Sequence, residues 1–291
     1  MKDRNSNILL PSDFGMTTKL FLLLGNPVSH SLSPRLHNIG FQTFGLNMIY
    51  LAVKIESNQL SSAVKSIRTL NIAGANITIP FKVQIIPYLD RIDPTARKVR
   101  AVNTIVNVEG ALWGYNTDFT GFLDTLQAYR FNPEDTRVLV LGAGGAASAV
   151  GWALVEQVDT LIIANRTPQR AIQLHKRLNN QGNVRWVPWS EVAVEVEKSD
   201  LIVNATSVGL ASNPSFEFLS LLNPPKTATV FDLVYSHEET QLIQYMRKKG
   251  VRTIDGKELL VRQALDAFEL WTGQRPKEKV FFSVLSKDIS M

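Results

Sequence analysis

The chain has no cysteine, so disulfides and thiolate metal sites are excluded. Its histidines are His30, His37, His175 and His237, and none of them stands at an H-x-x-x-H spacing. No metal site is expected. No apolar run reaches the roughly 18 residues that a membrane span needs. Met1–Thr18 is polar and mixed and lacks the apolar core and cleavage site of a signal peptide. The net charge is +5, yet there is no run of lysine or arginine and no basic patch interleaved with aromatics. That disfavours nucleic acid as a partner, while the mild positive balance suits anionic small ligands. Internal repeats and low-complexity tracts are missing too. These absences predict a soluble, cytoplasmic protein with an N-terminal extension over residues 1–18. At 291 residues with 45% hydrophobic content, two domains with real cores are expected.

What is present centres on Val138-Leu-Val-Leu-Gly142-Ala143-Gly144-Gly145-Ala146-Ala147-Ser148. Four apolar residues give way to a glycine cluster and then to a small-residue helix, so the periodicity changes from buried strand to helix. Gly142-x-Gly144-x-x-Ala147 has the spacing of a dinucleotide fingerprint. Gly142 permits the tight turn, Gly144 lets a pyrophosphate approach the backbone, and Ala147 lets helix and strand pack closely. The helix start favours an anion. A second strand, Thr160–Ala164, ends in Asn165-Arg166-Thr167. An acid at that tip would bind the ribose hydroxyls of NAD. A neutral amide followed by a guanidinium suits a 2′-phosphate instead, so the cofactor expected is NADP. As a bare sequence feature, Arg166 is also an ordinary surface arginine. Further strands are predicted at Leu201–Asn204, Thr229–Leu233 and Arg252–Ile254, with interleaved helices and a parallel sheet. Thr206 and Ser207, in the loop after Asn204, and Tyr235, after the Thr229–Leu233 strand, lie on the rim where a nicotinamide ribose would sit.

The N-terminal part has its own pattern. Lys19–Leu24 is an apolar strand closed by Gly25-Asn26-Pro27. Ser33-Pro34 predicts a helix with Ser33 at the N-cap, running past Phe41 and Phe44 to Gly45. Ser31 precedes that cap and lacks such a structural role. Met48–Val53 is a strand and Gln59–Leu70 an amphipathic helix. In Asn76-Ile77-Thr78-Ile79 the period of two puts Asn76 and Thr78 on one face and turns Ile77 and Ile79 to the core. Lys82 then sits at the mouth of a helix, either as an exposed lysine or as a functional one. Ala101–Asn107 is a strand with polar residues at alternate positions, and Gly110 makes a hairpin turn. Asp118 or Thr117 is positioned to cap a helix over Phe119–Tyr129. Near the C-terminus, Leu260, Ala264, Phe268 and Trp271 form a helical stripe with Gln263 at its polar edge.

Taken in order, Gly25-Asn-Pro-Val-Ser-His-Ser31-Leu-Ser33-Pro34, Gly74-Ala-Asn76-Ile-Thr78-Ile-Pro-Phe-Lys82, Ala101-Val-Asn103-Thr104, Gly114-Tyr-Asn116-Thr117-Asp118, Gly142-Ala-Gly-Gly-Ala, Asn165-Arg-Thr167, Asn204-Ala-Thr-Ser and Gln263 with Trp271-Thr-Gly273 resemble the shikimate dehydrogenase family from Lys19 to about Lys279. Arg100 stands where that family usually has glycine, and Lys257-Glu258-Leu259 where it usually has a Gly-Met-Leu type sequence. The resemblance implies an α/β chain: an N-terminal open α/β substrate domain plus a Rossmann-type NADP-binding domain, separated by a cleft. It places the substrate domain at residues 19–118 and 256–291 and the NADP domain at 119–255. By motif position it implies Lys82 and Asp118 as catalytic pair. Ser31, Ser33, Asn76, Thr78, Lys82, Asn103, Asp118, Tyr235 and Gln263 form the implied substrate shell. The cofactor residues are Gly142, Ala143, Gly144, Gly145, Ala146, Asn165, Arg166, Thr167, Thr206, Ser207 and Gly256.

The implied activity is NADP-dependent, reversible reduction of 3-dehydroshikimate to shikimate in the biosynthesis of chorismate and the aromatic amino acids, by a monomer or homodimer. Lys82 would give the proton to the developing alkoxide and Asp118 would orient its ammonium. Two other readings stand beside it: a quinate/shikimate dehydrogenase using NAD, and a catalytically inactive paralogue that senses ligand and nucleotide. A threonine in place of Ser33 or an acid at the Asn165-Arg166 tip would have favoured the first, and loss of Lys82 or Asp118 the second.

Overall fold

In the computed structural model residues 15–209, 219, 222–236 and 238–285 are described; residues 1–14 of the expected extension, and His237, lie outside them. The chain divides into two compact units, Met1–Thr117 with Gln263–Met291, and Asp118–Arg262. In chain order the first unit holds β1 (Lys19–Gly25), α1 (Ser33–Thr43), β2 (Met48–Lys54), α2 (Leu60–Thr69), β3 (Gly74–Ile77), β4 (Arg91–Ile92), α3 (Pro94–Val99), β5 (Thr104–Val108) and β6 (Ala111–Tyr115). Then come α4 (Thr117–Ala128), β7 (Arg137–Leu141), α5 (Gly145–Leu154), β8 (Thr160–Ala164), α6 (Pro168–Leu178), β9 (Val184–Val187), α7 (Val192–Val196), β10 (Leu201–Asn204), β11 (Thr229–Asp232), α8 (Gln241–Lys248) and β12 (Arg252–Ile254). The last helices are α9 (Gly256–Thr272), which starts in the second unit and ends in the first, and α10 (Glu278–Leu285).

The first unit carries a mixed sheet in the order β2-β1-β3-β5-β6-β4. β1 runs parallel to β2 and β3, and β5 lies antiparallel to β3 and β6. Glu109 and Gly110 both take positive φ, 52° and 89°, as a tight β-hairpin requires. Behind the sheet Leu22, Leu24, Val64, Ile67, Ala75, Ile77, Phe81 and Ile105 share one buried cluster. On α1 and α9 an aromatic cluster forms around His37, whose ring stacks on Tyr50 at 4.5 Å and stands 5.0 Å from Trp271.

Four local expectations are corrected here. Ser33 is the first residue of α1, not its cap. Leu32 stands at the N-cap without a side-chain bond, and the Ser33 N–H donates instead to Ser31 Oγ at 3.3 Å. Ser31 therefore has a structural part after all. β3 stops at Ile77, so Ile79 lies in a turn, 39% exposed, and does not reach the core. Lys82 opens no α-helix; residues 81–85 form turns that lead into a short 3-10 segment, Ile86–Tyr88.

The second unit has a sheet in the order β12-β11-β10-β7-β8-β9, parallel throughout. Its central strands β7, β8 and β10 are buried almost to the last residue, as a parallel sheet covered on both faces demands. One apolar cluster, with Phe122, Val138, Val140, Ala147 and Val203, covers one face; another, with Leu139, Leu141, Ile162, Val196 and Ile202, covers the other. Sequence reading missed β9. Its two valines are buried and Arg185 and Trp186 between them are exposed, a pattern that is neither an alternation nor an apolar run. The strand order reverses between β7 and β10, and ligands of such sheets bind at the carboxyl ends of the strands at that switch point.

Two predictions follow from this packing. Arg100 ends α3 in a left-handed conformation, φ 56° and ψ 39°, where a side chain strains the backbone and glycine does not. Arg100→Gly should stabilise the chain by up to about 1 kcal/mol, the left-handed penalty of roughly 1–2 kcal/mol set against the greater freedom glycine loses on folding, read from the urea midpoint. Burial drives the His37 imidazole down to about 3, opposed in part by the Asn76 side chain beside it. The unfolded chain thus binds the proton more readily than the folded one below its ordinary value of 6.5. Stability is lost as pH falls through that window, by up to about 1.4 kcal/mol per pH unit. His37→Phe should lack this component when unfolding midpoints are compared between pH 6.5 and 4.

Candidate active site

Within the first unit β2, the carboxyl end of β3 and the start of β5 share a buried polar chain. The Tyr50 hydroxyl donates to Asn76 Oδ1 at 2.8 Å. Asn76 Nδ2 donates to the Asn103 carbonyl at 3.1 Å and to Thr104 Oγ1 at 3.0 Å. Asn103 Oδ1 accepts from the Thr117 backbone N–H at 2.7 Å and from Thr104 Oγ1 at 3.1 Å, and Asn103 Nδ2 donates to Thr117 Oγ1 at 3.0 Å. Thr117 Oγ1 in turn stands 3.5 Å from Gln263 Oε1. Asn76, Asn103, Thr104, Thr117 and Gln263 are all buried. Buried polar groups need such partners, and here they supply one another. Asn76 has both amide hydrogens committed and can meet a ligand only as an acceptor.

The network extends through the backbone. The Ile77 N–H donates to the Asn103 carbonyl at 2.8 Å, and the Val102 N–H donates to the Lys82 carbonyl at 2.7 Å. Phe81 and Ile85, on either side of Lys82, are fully buried. These contacts fix the turn that carries half-buried Lys82 beside the Asn103 segment. Thr78 is half-buried, and its methyl group would lie 2.2 Å from a Cβ on Gly25; glycine is needed there for β1 and the 78–80 turn to pack. Sequence reading named Asn76, Asn103 and Gln263 for this site but gave Tyr50 no role. A tyrosine in a strand looks like core, and its tertiary partner is 26 positions away. Ser31 lines an open groove of about 550 Å³ together with Asn26, Ser29, Pro34 and Lys54. No other candidate residue lines that groove.

In the second unit Asp118 lies in the first turn of α4 and is buried. At the end of β7, Gly142 has φ +117°, and a Cβ there would stand 2.7 Å from the Ala205 carbonyl oxygen. Gly144 is the N-cap of α5, and a Cβ on it would meet nothing within 4 Å. The loop is thus forced to glycine at one position and left open at the other, which is the shape a pyrophosphate needs at a helix start. The dinucleotide therefore fits. Ala143 lies between them in that loop, and Gly145 and Ala146 open α5. At the end of β8 the Asn165 amide donates to the Thr167 carbonyl at 2.9 Å, and Arg166 is exposed.

The next loop is tied to itself. Asn204 Oδ1 accepts from the Thr206 N–H at 3.2 Å and from Thr206 Oγ1 at 2.7 Å, and Thr206 Oγ1 accepts from the Val208 N–H at 3.1 Å. Ser207 is exposed beside it and Tyr235 is half-buried. Asp232, which sequence reading passed over, is fully buried next to these loops. Burial pushes its carboxyl up to about 7, against the pull of Thr240, Asn204 and the Val234 N–H, and Asp255 pushes the same way as burial. Gly256 packs so closely that a Cβ would lie 2.4 Å from the Val234 carbonyl oxygen.

Comparison with known proteins places both units. Residues 23–105 match the family model described as shikimate dehydrogenase substrate binding domain, and residues 126–234 the model described as shikimate / quinate 5-dehydrogenase. The shikimate dehydrogenase (NADP(+)) of Moorella thermoacetica is 42% identical over 92% of this chain and 93% of its own length. Among solved structures, shikimate dehydrogenase from Aquifex aeolicus superposes with a TM-score of 0.85 at 36% identity, covering 94% of this chain and all of that one (100%). The Thermus thermophilus enzyme in complex with NADP(H) and shikimate superposes with a TM-score of 0.81 at 36% identity, covering 92% of this chain and 98% of that one.

Proposed function

The chain belongs to the shikimate dehydrogenase family, and from that membership we propose how its residues divide the work. It is an NADP-dependent oxidoreductase that reversibly reduces 3-dehydroshikimate to shikimate in the shikimate pathway. Neither NAD-dependent quinate oxidation nor an inactive sensing role is favoured by its relatives. When bound, NADP(H) supplies or takes up the hydride. Proton transfer, orientation and charge fall to the chain's own side chains.

Lys82 is the proton donor in reduction and the acceptor in oxidation, and Asp118 orients its ammonium. The observation that carries this reading is the buried chain Asn76–Thr104–Asn103–Thr117, to which the Lys82 turn is stitched by the Val102 N–H. Such support holds a catalytic amine in place. Asn103, Asn76, Thr78 and Gln263 take the substrate hydroxyls, with Tyr235 completing the shell. Ser33, whose hydroxyl caps no helix, joins Ser31 at the carboxylate. The Gly142–Gly144 loop with Gly145 and Ala146 at the start of α5, and Gly256, take the pyrophosphate and nicotinamide side of the cofactor together with Thr206 and Ser207. Asn165, Arg166 and Thr167 take the 2′-phosphate side. A cytoplasmic location and a monomeric or homodimeric assembly complete the proposal; no helix among the described residues is long and apolar enough to cross a membrane.

Lys82→Ala should lower kcat by about 10²–10⁴-fold with little change in the KM for shikimate. A rise in KM alone would remove the proton-transfer role. Arg166→Ala should weaken NADPH and leave NADH nearly unchanged in side-by-side titrations. Equal weakening of both would remove the phosphate assignment.

A further inference from the structure

We propose that Asp232 is a positioning residue for the dinucleotide, its buried carboxylate fixing the two loops, 204–209 and 233–236, that carry Thr206, Ser207 and Tyr235. The inference rests on the reading that these loops serve NADP(H). Asp232 itself is fully buried and acts only through its neighbours.

The geometry begins in the sheet. Asn204 and Asp232 are the last residues of adjacent parallel strands and stand opposite each other in register. Asp232 Oδ1 accepts from Asn204 Nδ2 at 2.8 Å and from the Val234 N–H at 3.1 Å. Oδ2 accepts from Thr240 Oγ1 at 2.6 Å, while Thr240 caps α8 by accepting from the Ile243 N–H. One side chain thus ties the first loop, the second loop and the start of α8 together.

The consequence for the first loop is directional. Oδ1 of Asp232 accepts there, and the Val208 carbonyl accepts from the same amide at 3.2 Å, so Asn204 presents its N–H₂ to both. That leaves Asn204 Oδ1 facing the other way, where it holds the N–H and hydroxyl of Thr206. The acid behind it shares in setting the orientation of Asn204 with the Val208 carbonyl and the Thr206 N–H, and it anchors that amide, and with it the loop, to β11. The second loop is held from two sides, by Asp232 on the Val234 N–H and by Gly256 against the Leu233 and Val234 carbonyls. Tyr235 follows directly.

The test compares Asp232→Ala, Asp232→Asn and Thr206→Ala. NADPH affinity is read from nucleotide fluorescence with the unliganded protein, and KM is read for each substrate. Asp232→Ala should raise the NADPH Kd at least about tenfold and, because the packing of Gly256 still holds the loop that carries Tyr235 at the substrate, leave the shikimate KM within about twofold. Asp232→Asn keeps an acceptor for Asn204 and Val234 and can turn its amide toward Thr240 Oγ1, so it should restore the NADPH Kd to within about threefold of the parent. A purely structural aspartate would predict instead that both ligands weaken together with the unfolding midpoint.

An unchanged NADPH Kd in Asp232→Ala overturns the proposal, as does an Asn variant no better than the Ala variant. If Thr206→Ala weakens NADPH and Asp232→Ala does not, the proposal alone falls. If neither does, the loop assignment falls with it. Should Asp232→Ala not be recovered folded, Asn204→Ala breaks the same link from the other side and must show the same selective loss of NADPH.

Discussion

The side chain and carbonyl of Asn103 hold the first unit together at the point where function is placed. Its carbonyl accepts from the Ile77 N–H and from Asn76. Its Oδ1 accepts from the first N–H of α4, and its amide reaches the Thr117 hydroxyl. One residue thereby joins the end of β3, the start of β5 and the start of α4, and reaches α9 through Gln263. A buried amide left without partners costs roughly 1–3 kcal/mol, so these groups are mutually dependent. A network that is fully satisfied is rigid. The turn bearing Lys82 inherits that rigidity through one backbone bond to Val102.

The second unit reaches a comparable result by other means. Its strand ends are shaped by close approach, with Gly142 against Ala205 and Gly256 against Val234, and by an acid–amide pair, Asp232 with Asn204. The open position at Gly144 lies on the helix start that favours an anion. A lone buried acid is expensive, and this one is pushed up to about 7 by burial. Its position between two loops gives that cost a purpose.

Much of this was readable from the chain. The glycine loop, the Asn165-Arg166 tip, the apolar runs of β7, β8 and β10, and the hairpin at Gly110 carry local signals whose physics is short-range. What was not readable depends on partners distant in sequence. Tyr50 looked like a strand residue until its hydroxyl met Asn76, and Asp232 looked like a strand end until Asn204 and Thr240 converged on it. Ser33 was misjudged because Ser-Pro is a good cap signal, while the real turn starts one residue earlier with Ser31 as acceptor. The unusual Arg100 was visible as a departure from glycine, and its left-handed φ of 56° gives the physical reason that glycine is common there.

The most direct test is nicotinamide absorbance with the purified protein, pairing shikimate and quinate in turn with NADP and NAD. Turnover with shikimate and NADP, well above the other three pairs, is the predicted result. Faster turnover with quinate or with NAD, or silence in all four while the ligands still bind, would contradict it.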